Sequence, residues 1–133
     1  MVKTTVENAV IVHRILLKAK FAKMKDGDQF NILRIRRQIK KVAEDYDDFL
    51  KDVREKLQPE GYNLLQTKEN PTPEERTTIL EVERKVNSCM EPELKKEIEL
   101  DFTPVSEECM KGFIESNDFT IGEIGEVFDL IGQ

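Results

Sequence analysis

The sequence has no tryptophan, one histidine, two cysteines and nine phenylalanine or tyrosine residues. Each scarcity excludes something. Cys89 and Cys109, 20 positions apart, allow one disulfide and exclude a disulfide framework, which points to a reduced, intracellular chain. No stretch approaches the roughly 18 apolar residues of a membrane helix, so no membrane span is expected. The opening MVKTTVENAVIVHRILL does not read as a signal peptide, because His13 and Arg14 interrupt its apolar run and no small-residue cleavage site follows. There is no C-x-x-C, no P-loop, no G-x-G-x-x-G and no G-x-S-x-G. The 133 residues suit a single domain, 1–133, and exclude a large enzyme with a deep pre-formed pocket.

Charge is what the chain has in quantity. Lys, Arg, Asp and Glu make up 36 % of it, for a net charge of −6. That total conceals an asymmetry. From Arg14 to Lys41 ten basic residues face only Asp26 and Asp28, a net of +8. Residues 42–133 carry ten basic and 24 acidic residues, a net of −14, and residues 1–13 contribute zero. Such a split marks either an anionic partner or neutralisation within the fold.

Hydrophobic spacing places the elements. Val2, Thr4 and Thr5 suit a short strand, and Thr5 can cap a helix over 6–24 whose apolar residues cover most of its circumference. Gly27, in the left-handed conformation, and Asp28, as a cap, are expected to break it. Ile32, Ile35, Ile39, Val42, Tyr46, Phe49 and Val53 then form an uninterrupted seam spaced by three and four over 28–57, about 45 Å of helix. Residues 58–72 are rich in Pro, Gly and Asn and read as a loop. Thr72, Pro73 and Glu75 open a third helix, 73–90, with a capping box and the seam Ile79, Val82, Val86 and Cys89. Helices two and three should pair antiparallel, leaving part of the longer one uncovered unless another element meets it. Residues 97–102 alternate as a strand does, and Met1–Thr5 is the nearest candidate partner. Short C-terminal helices fill 106–131, the last opened by the capping box Thr120–Glu123. The expected fold is mainly α, with a minor α+β part: a long antiparallel helical hairpin, an N-terminal helix and a two-stranded sheet.

Chemistry-bearing residues are few. His13 lies in an apolar helical segment with no triad or metal-ligand spacing around it, and reads as a boundary or satisfied core histidine. Cys89 and Cys109 fall on apolar positions and read as small hydrophobes. Glu44, Asp48 and Asp52 share one helical face, but carboxylates on successive turns of one helix do not make an oxygen cage for a metal. The best candidates for binding are Arg34, Arg36, Arg37, Lys40 and Lys41. Arg34, Arg37 and Lys41 lie on one side of helix two, with Arg36 and Lys40 flanking. Phosphate would suit such a cluster, yet no aromatics interleave with it as stacking platforms and the whole chain is acidic. A solvated face or a protein-docking surface is the preferred reading. No catalytic residue, metal or cofactor is expected.

The order of elements carries a resemblance. A strand-like start, the long helix KMKDGDQFNILRIRRQIKKVAEDYDDFLKDVREKL, a loop and helix, the strand IELDF and the short helix TPVSEECMKGF follow one another. This resembles a family of small phage-encoded proteins of unknown function found among the virion and tail genes of phages and prophages. The closing helix from Thr120 lies beyond the matched pattern. The resemblance implies a mobile-element origin and a structural or assembly role, in the host cytoplasm or with the virion, and carries no functional residues across. The expected function is that of a non-enzymatic assembly or adaptor protein acting through helical faces on itself or another protein. The alternative is a nucleic-acid-binding protein using the basic segment 14–41.

Overall fold

The computed structural model describes residues 1–132. It is mainly helical, with one two-stranded antiparallel sheet. The elements in chain order are β1 (Val2–Thr5), α1 (Val6–Leu16), α2 (Asp26–Leu57), α3 (Tyr62–Gln66), α4 (Pro73–Leu94), β2 (Glu97–Leu100), α5 (Glu107–Glu115) and α6 (Ile121–Ile131).

Strand β1 pairs with β2 as the alternation of both segments predicts, Val2 opposite Leu100 and Thr5 opposite Glu97. Thr5 ends the strand and caps α1, its hydroxyl accepting from the Asn8 backbone N–H at 3.2 Å. Strand thus becomes helix without a loop, and Val6 N–H donates to Lys96 O at 3.0 Å, holding that junction against the start of β2.

The first helix ends at Leu16, not at residue 24. Residues 17–25 form turns instead, because the two residues that follow α5 supply partners that a helical backbone would have found in itself. Asn117 Oδ1 accepts from Lys20 N–H at 2.7 Å, while its Nδ2 donates to Lys20 O at 2.8 Å. Ser116 Oγ accepts from Lys23 N–H at 2.9 Å, and Phe21 stacks on Phe113 with ring centroids 6.0 Å apart. These partners lie more than 90 positions away in the sequence, so helical periodicity alone could not disclose them. Gly27 does not take the left-handed conformation. It lies in the first turn of α2, which starts two residues before Asp28, with Asp26 and Asp28 as the acidic residues of that turn.

Two large hydrophobic centres share α2, bridged by a smaller one in which Ala43 is buried with Val6 and Val10 of α1, beside Val42, Tyr46 and Ile98. Ile32, Ile35 and Ile39 are buried with Ala9, Val12, Leu16, Leu100, Phe102, Met110, Phe113, Val127 and Ile131. The first half of α2 therefore packs on α1 and shares one core with α5, α6 and the chain after β2, and does not project. Toward its other end, Tyr46, Leu50, Val53 and Leu57 pack on Ile79, Val82, Val86 and Met90 of α4. This is the expected antiparallel hairpin.

The loop expected over 58–72 contains α3, preceded by Gly61 at φ 80°, where any other residue would be strained. Tyr62 carries α3 into the hairpin core and is 2 % exposed. The third helix, α4, has the predicted capping box at Thr72 and Glu75 but runs past Met90 to Leu94, through Pro92. A proline this close to a helix end forfeits its own hydrogen bond, yet the turn still closes through Lys95 N–H to Glu91 O. The α4 seam ends on buried Met90, and Cys89 is exposed, contrary to its expected place in the core. Strand β2 stops at Leu100, two residues short of the expected boundary, and Phe102 turns into the core. Ser106 caps α5, its hydroxyl accepting from Cys109 N–H, and Thr120 caps α6 with the predicted capping box. Val105 N–H donates to Ile131 O at 2.8 Å, latching the end of α6 to the start of α5.

Candidate interaction surface on α2

An unbroken helix of 32 residues turns the charge split of the sequence into a surface. Ile32, Ile35, Ile39 and Ala43 take the inward face, so residues three and four apart on the opposite side align outward. Arg34, Arg37 and Lys41 lie on that outer face and are exposed. Arg34 Nη1 donates to Asn31 Oδ1 at 3.0 Å, and neither Arg37 nor Lys41 meets a carboxylate among the described residues. Lys40, exposed at one edge, pairs with Glu44 at 3.6 Å. Arg36 is half-buried and lies toward α1. Glu44, Asp45, Asp48 and Asp52 continue the outer face toward the C-terminus, all exposed. Apart from Lys40–Glu44, the basic and acidic groups of this face are thus consecutive stretches that do not pair with one another, while elsewhere in the basic segment Lys18 pairs with Glu123 and Lys25 with Glu108.

His13 sits at the α1–α2 contact, half-buried, with its Nδ1 buried and lacking a hydrogen-bond partner among the described residues. It is a boundary histidine but not a satisfied one. Desolvation holds its pKa below the usual value. Asp47 and Glu44 oppose that shift, while Lys40 and Arg36 add to it. Burial likewise pushes the Cys109 thiol up to about 11, which makes it an inert hydrophobe as expected. Both cysteines are free.

The most connected polar group in the molecule lies elsewhere, at the hairpin tip. Arg54 Nη1 and Nη2 donate to the two carboxylate oxygens of Glu83 at 3.0 and 3.1 Å. The Tyr62 hydroxyl and Gln66 Nε2 donate to the same carboxylate at 2.9 and 3.1 Å. Donation from Arg54, followed by that from Tyr62, holds the Glu83 pKa below the usual carboxylate range despite partial burial. Burial, then the contact with Glu83, pushes the Tyr62 phenol up. This cluster ties α2, α3 and α4 together and leaves no oxygen pair free for a ligand. Sequence reading missed it because Tyr62 and Gln66 lie in a segment read as loop. The only available signal was an Arg and a Glu on helices expected to be antiparallel.

A groove of about 500 Å³ runs beside Arg34, between Asn31 and Gln38 of α2 and the irregular segment 101–106. Gln38 closes one end by donating to Asp101 O. Among the described residues no group of three His, Cys, Asp or Glu is placed to hold a metal ion, and no helix is long and apolar enough to cross a membrane. The chain matches no protein-family model, no curated protein and no solved structure.

Proposed function

We propose that the chain is a non-enzymatic assembly or adaptor protein of the phage or mobile-element type, acting in the host cytoplasm or the virion through helical protein–protein surfaces. The observation that carries this reading is the outer face of α2, where exposed Arg34, Arg37 and Lys41 give way to exposed Glu44, Asp48 and Asp52 on one rigid helix. A face divided in this way suits a protein surface of the opposite order, because complementary charge sets partner and register. It suits a nucleic acid less well. A phosphate backbone following the helix leaves the basic residues and meets the acidic row within about three turns.

Nucleic-acid binding is the second reading, favoured by the fact that Arg37 and Lys41 are exposed and without carboxylate partners. Two measurements separate the two. Titration of labelled duplex DNA and single-stranded RNA at low salt should give no saturable binding. Saturable binding that falls steeply with salt, and is lost in the triple variant Arg34→Ala, Arg37→Ala, Lys41→Ala, would replace the first reading with the second. Affinity capture from the native host should give a stoichiometric protein that the same triple variant fails to retain. Retention of every captured protein by that variant argues against this face.

A further inference from the structure

The outer face of α2 has an internal symmetry. Phe30, Arg34, Arg37, Lys41, Glu44, Asp48, Lys51 and Glu55 follow one another at spacings of four, three, four, three, four, three and four. All eight are exposed. The same stripe read backwards has the same spacing, so two copies can be laid together antiparallel with every position facing another. In that arrangement Arg37 faces Asp48 of the other copy, and Lys41 faces Glu44. Asp45 and Asp52 flank the acidic half, so Lys41 also reaches the second copy's Asp45, and Arg34 reaches its Asp52.

We infer that this face docks a second copy of the same chain, antiparallel, about a two-fold axis at the level of Val42 and Ala43. The inference rests on the proposed role in protein assembly and names the partner for it. Charge order is what selects the arrangement. Parallel pairing in register sets Arg34, Arg37 and Lys41 against themselves and the acidic row against itself. Antiparallel pairing shifted by seven residues sets Glu44 against Asp48, or Arg37 against Lys41. Among the antiparallel registers only the central one opposes unlike charges in the middle of the stripe. A parallel stagger of seven residues also opposes Arg37 to Glu44 and Lys41 to Asp48, but that contact is heterologous and leaves an open end, whereas the antiparallel one closes. Arg34 and Lys51 then fall at one level, but Asp48 and Asp52 on either side of Lys51 accept the guanidinium. Phe30, 57 % exposed, lies at each end against the aliphatic stems of the second copy's Lys51 and Glu55.

Such an interface is isologous: one patch serves both subunits, and the pair is closed. Held mainly by exposed charges, it is weak and salt-sensitive, since the screening length shrinks from about 10 Å at 0.1 M salt to about 3 Å at 1 M.

Sedimentation of the full chain tests this. Its mass should rise from 15.5 kDa toward twice that value with concentration at low salt, and the association should weaken at least tenfold on the order of 0.5 M salt. Arg37→Glu with Lys41→Glu makes the stripe acidic, and Glu44→Lys with Asp48→Lys makes it basic. Each double variant should stay monomeric, and an equal mixture of the two should associate. Register is read by cross-linking in a Cys89→Ser background. Arg37→Cys mixed with Asp48→Cys should give a disulfide-linked pair, and Arg37→Cys alone should not. A wild-type chain that stays monomeric at the highest concentration and low salt overturns self-docking while leaving a different protein partner to be captured. Association that survives both charge variants, or Arg37→Cys cross-linking to itself, overturns the assigned face or its direction.

Discussion

The two halves of α2 follow one seven-residue rule in the sequence and meet different fates in the structure. In the first half, Ile32, Ile35 and Ile39 are buried in one core with residues of α1, α5, α6 and the chain after β2. In the second, Tyr46 and Val53 are half-buried and Phe49 is 42 % exposed, because α4 and the short α3 cover this end, with α1 and β2 reaching no farther than Tyr46. A seam spaced by three and four states which side of a helix is apolar. It does not state how many neighbours will cover that side. The half with few neighbours compensates with polar geometry, the four-residue cluster around Glu83, where the half with many relies on packing.

Substitutions can break this contrast, and the largest effect is expected in the enclosed half. Ile39→Ala removes a fully buried side chain where surrounding elements cannot collapse, and should cost about 2–5 kcal/mol in urea unfolding. The loss should reach both halves, since Ile39 lies on the helix they share. Tyr62→Ala comes next, at about 3 kcal/mol. Its effect should be local: amide exchange quickens through α3 and the hairpin tip, with α1 and the first half of α2 keeping their protection. Equal acceleration everywhere would show that the two centres unfold as one.

Smaller effects sharpen the comparison. Glu83→Gln keeps the shape but loses the charge that Arg54 meets, and should cost about 1 kcal/mol near neutral pH, the partial exposure of the pair limiting it. Because the Glu83 pKa is lower in the folded chain, its contribution is complete above the unfolded value of 4.5 and is lost as pH falls through the folded one. The difference between wild type and variant should therefore vanish in acid, and a difference that persisted there would assign the effect to packing. His13 provides the smallest effect, on the other side of the molecule. Its pKa is lowered by burial, so the neutral form is the one the fold favours, fully so above 6.5. Stability should decline as pH drops below 6.5 toward the folded pKa, and His13→Gln should flatten that decline in melting temperature. An unchanged slope in the variant would place the pH dependence on other groups.

How much could be read from residues alone varied with the range of the interaction. Capping boxes at Thr72 and Thr120, the cap at Thr5 and the pairing of the two strand segments involve near neighbours or simple alternation, and all were legible. The turn at 17–25 was not, because its apolar residues continue a helical pattern that Asn117 and Ser116 interrupt from the far end of the chain. Tyr62 was hidden by its surroundings of Pro, Gly and Asn, and Cys89 was misplaced by a seam that ends one residue later, on Met90. Of the candidate surface, the grouping of Arg34, Arg37 and Lys41 was legible from spacing. That Arg36 leans toward α1 required knowing where α1 crosses.

The sequence by itself determined most of the elements, the caps at Thr5, Thr72 and Thr120 and the order of charges along one long helix, since each depends on residues within a turn or two of one another. Tertiary structure decided which parts of that helix are enclosed, where the first helix stops, and that the basic and acidic stretches share one open face. Those outcomes depend on which distant segments reach a given side chain or backbone group first, and spacing along the chain contains no record of that competition.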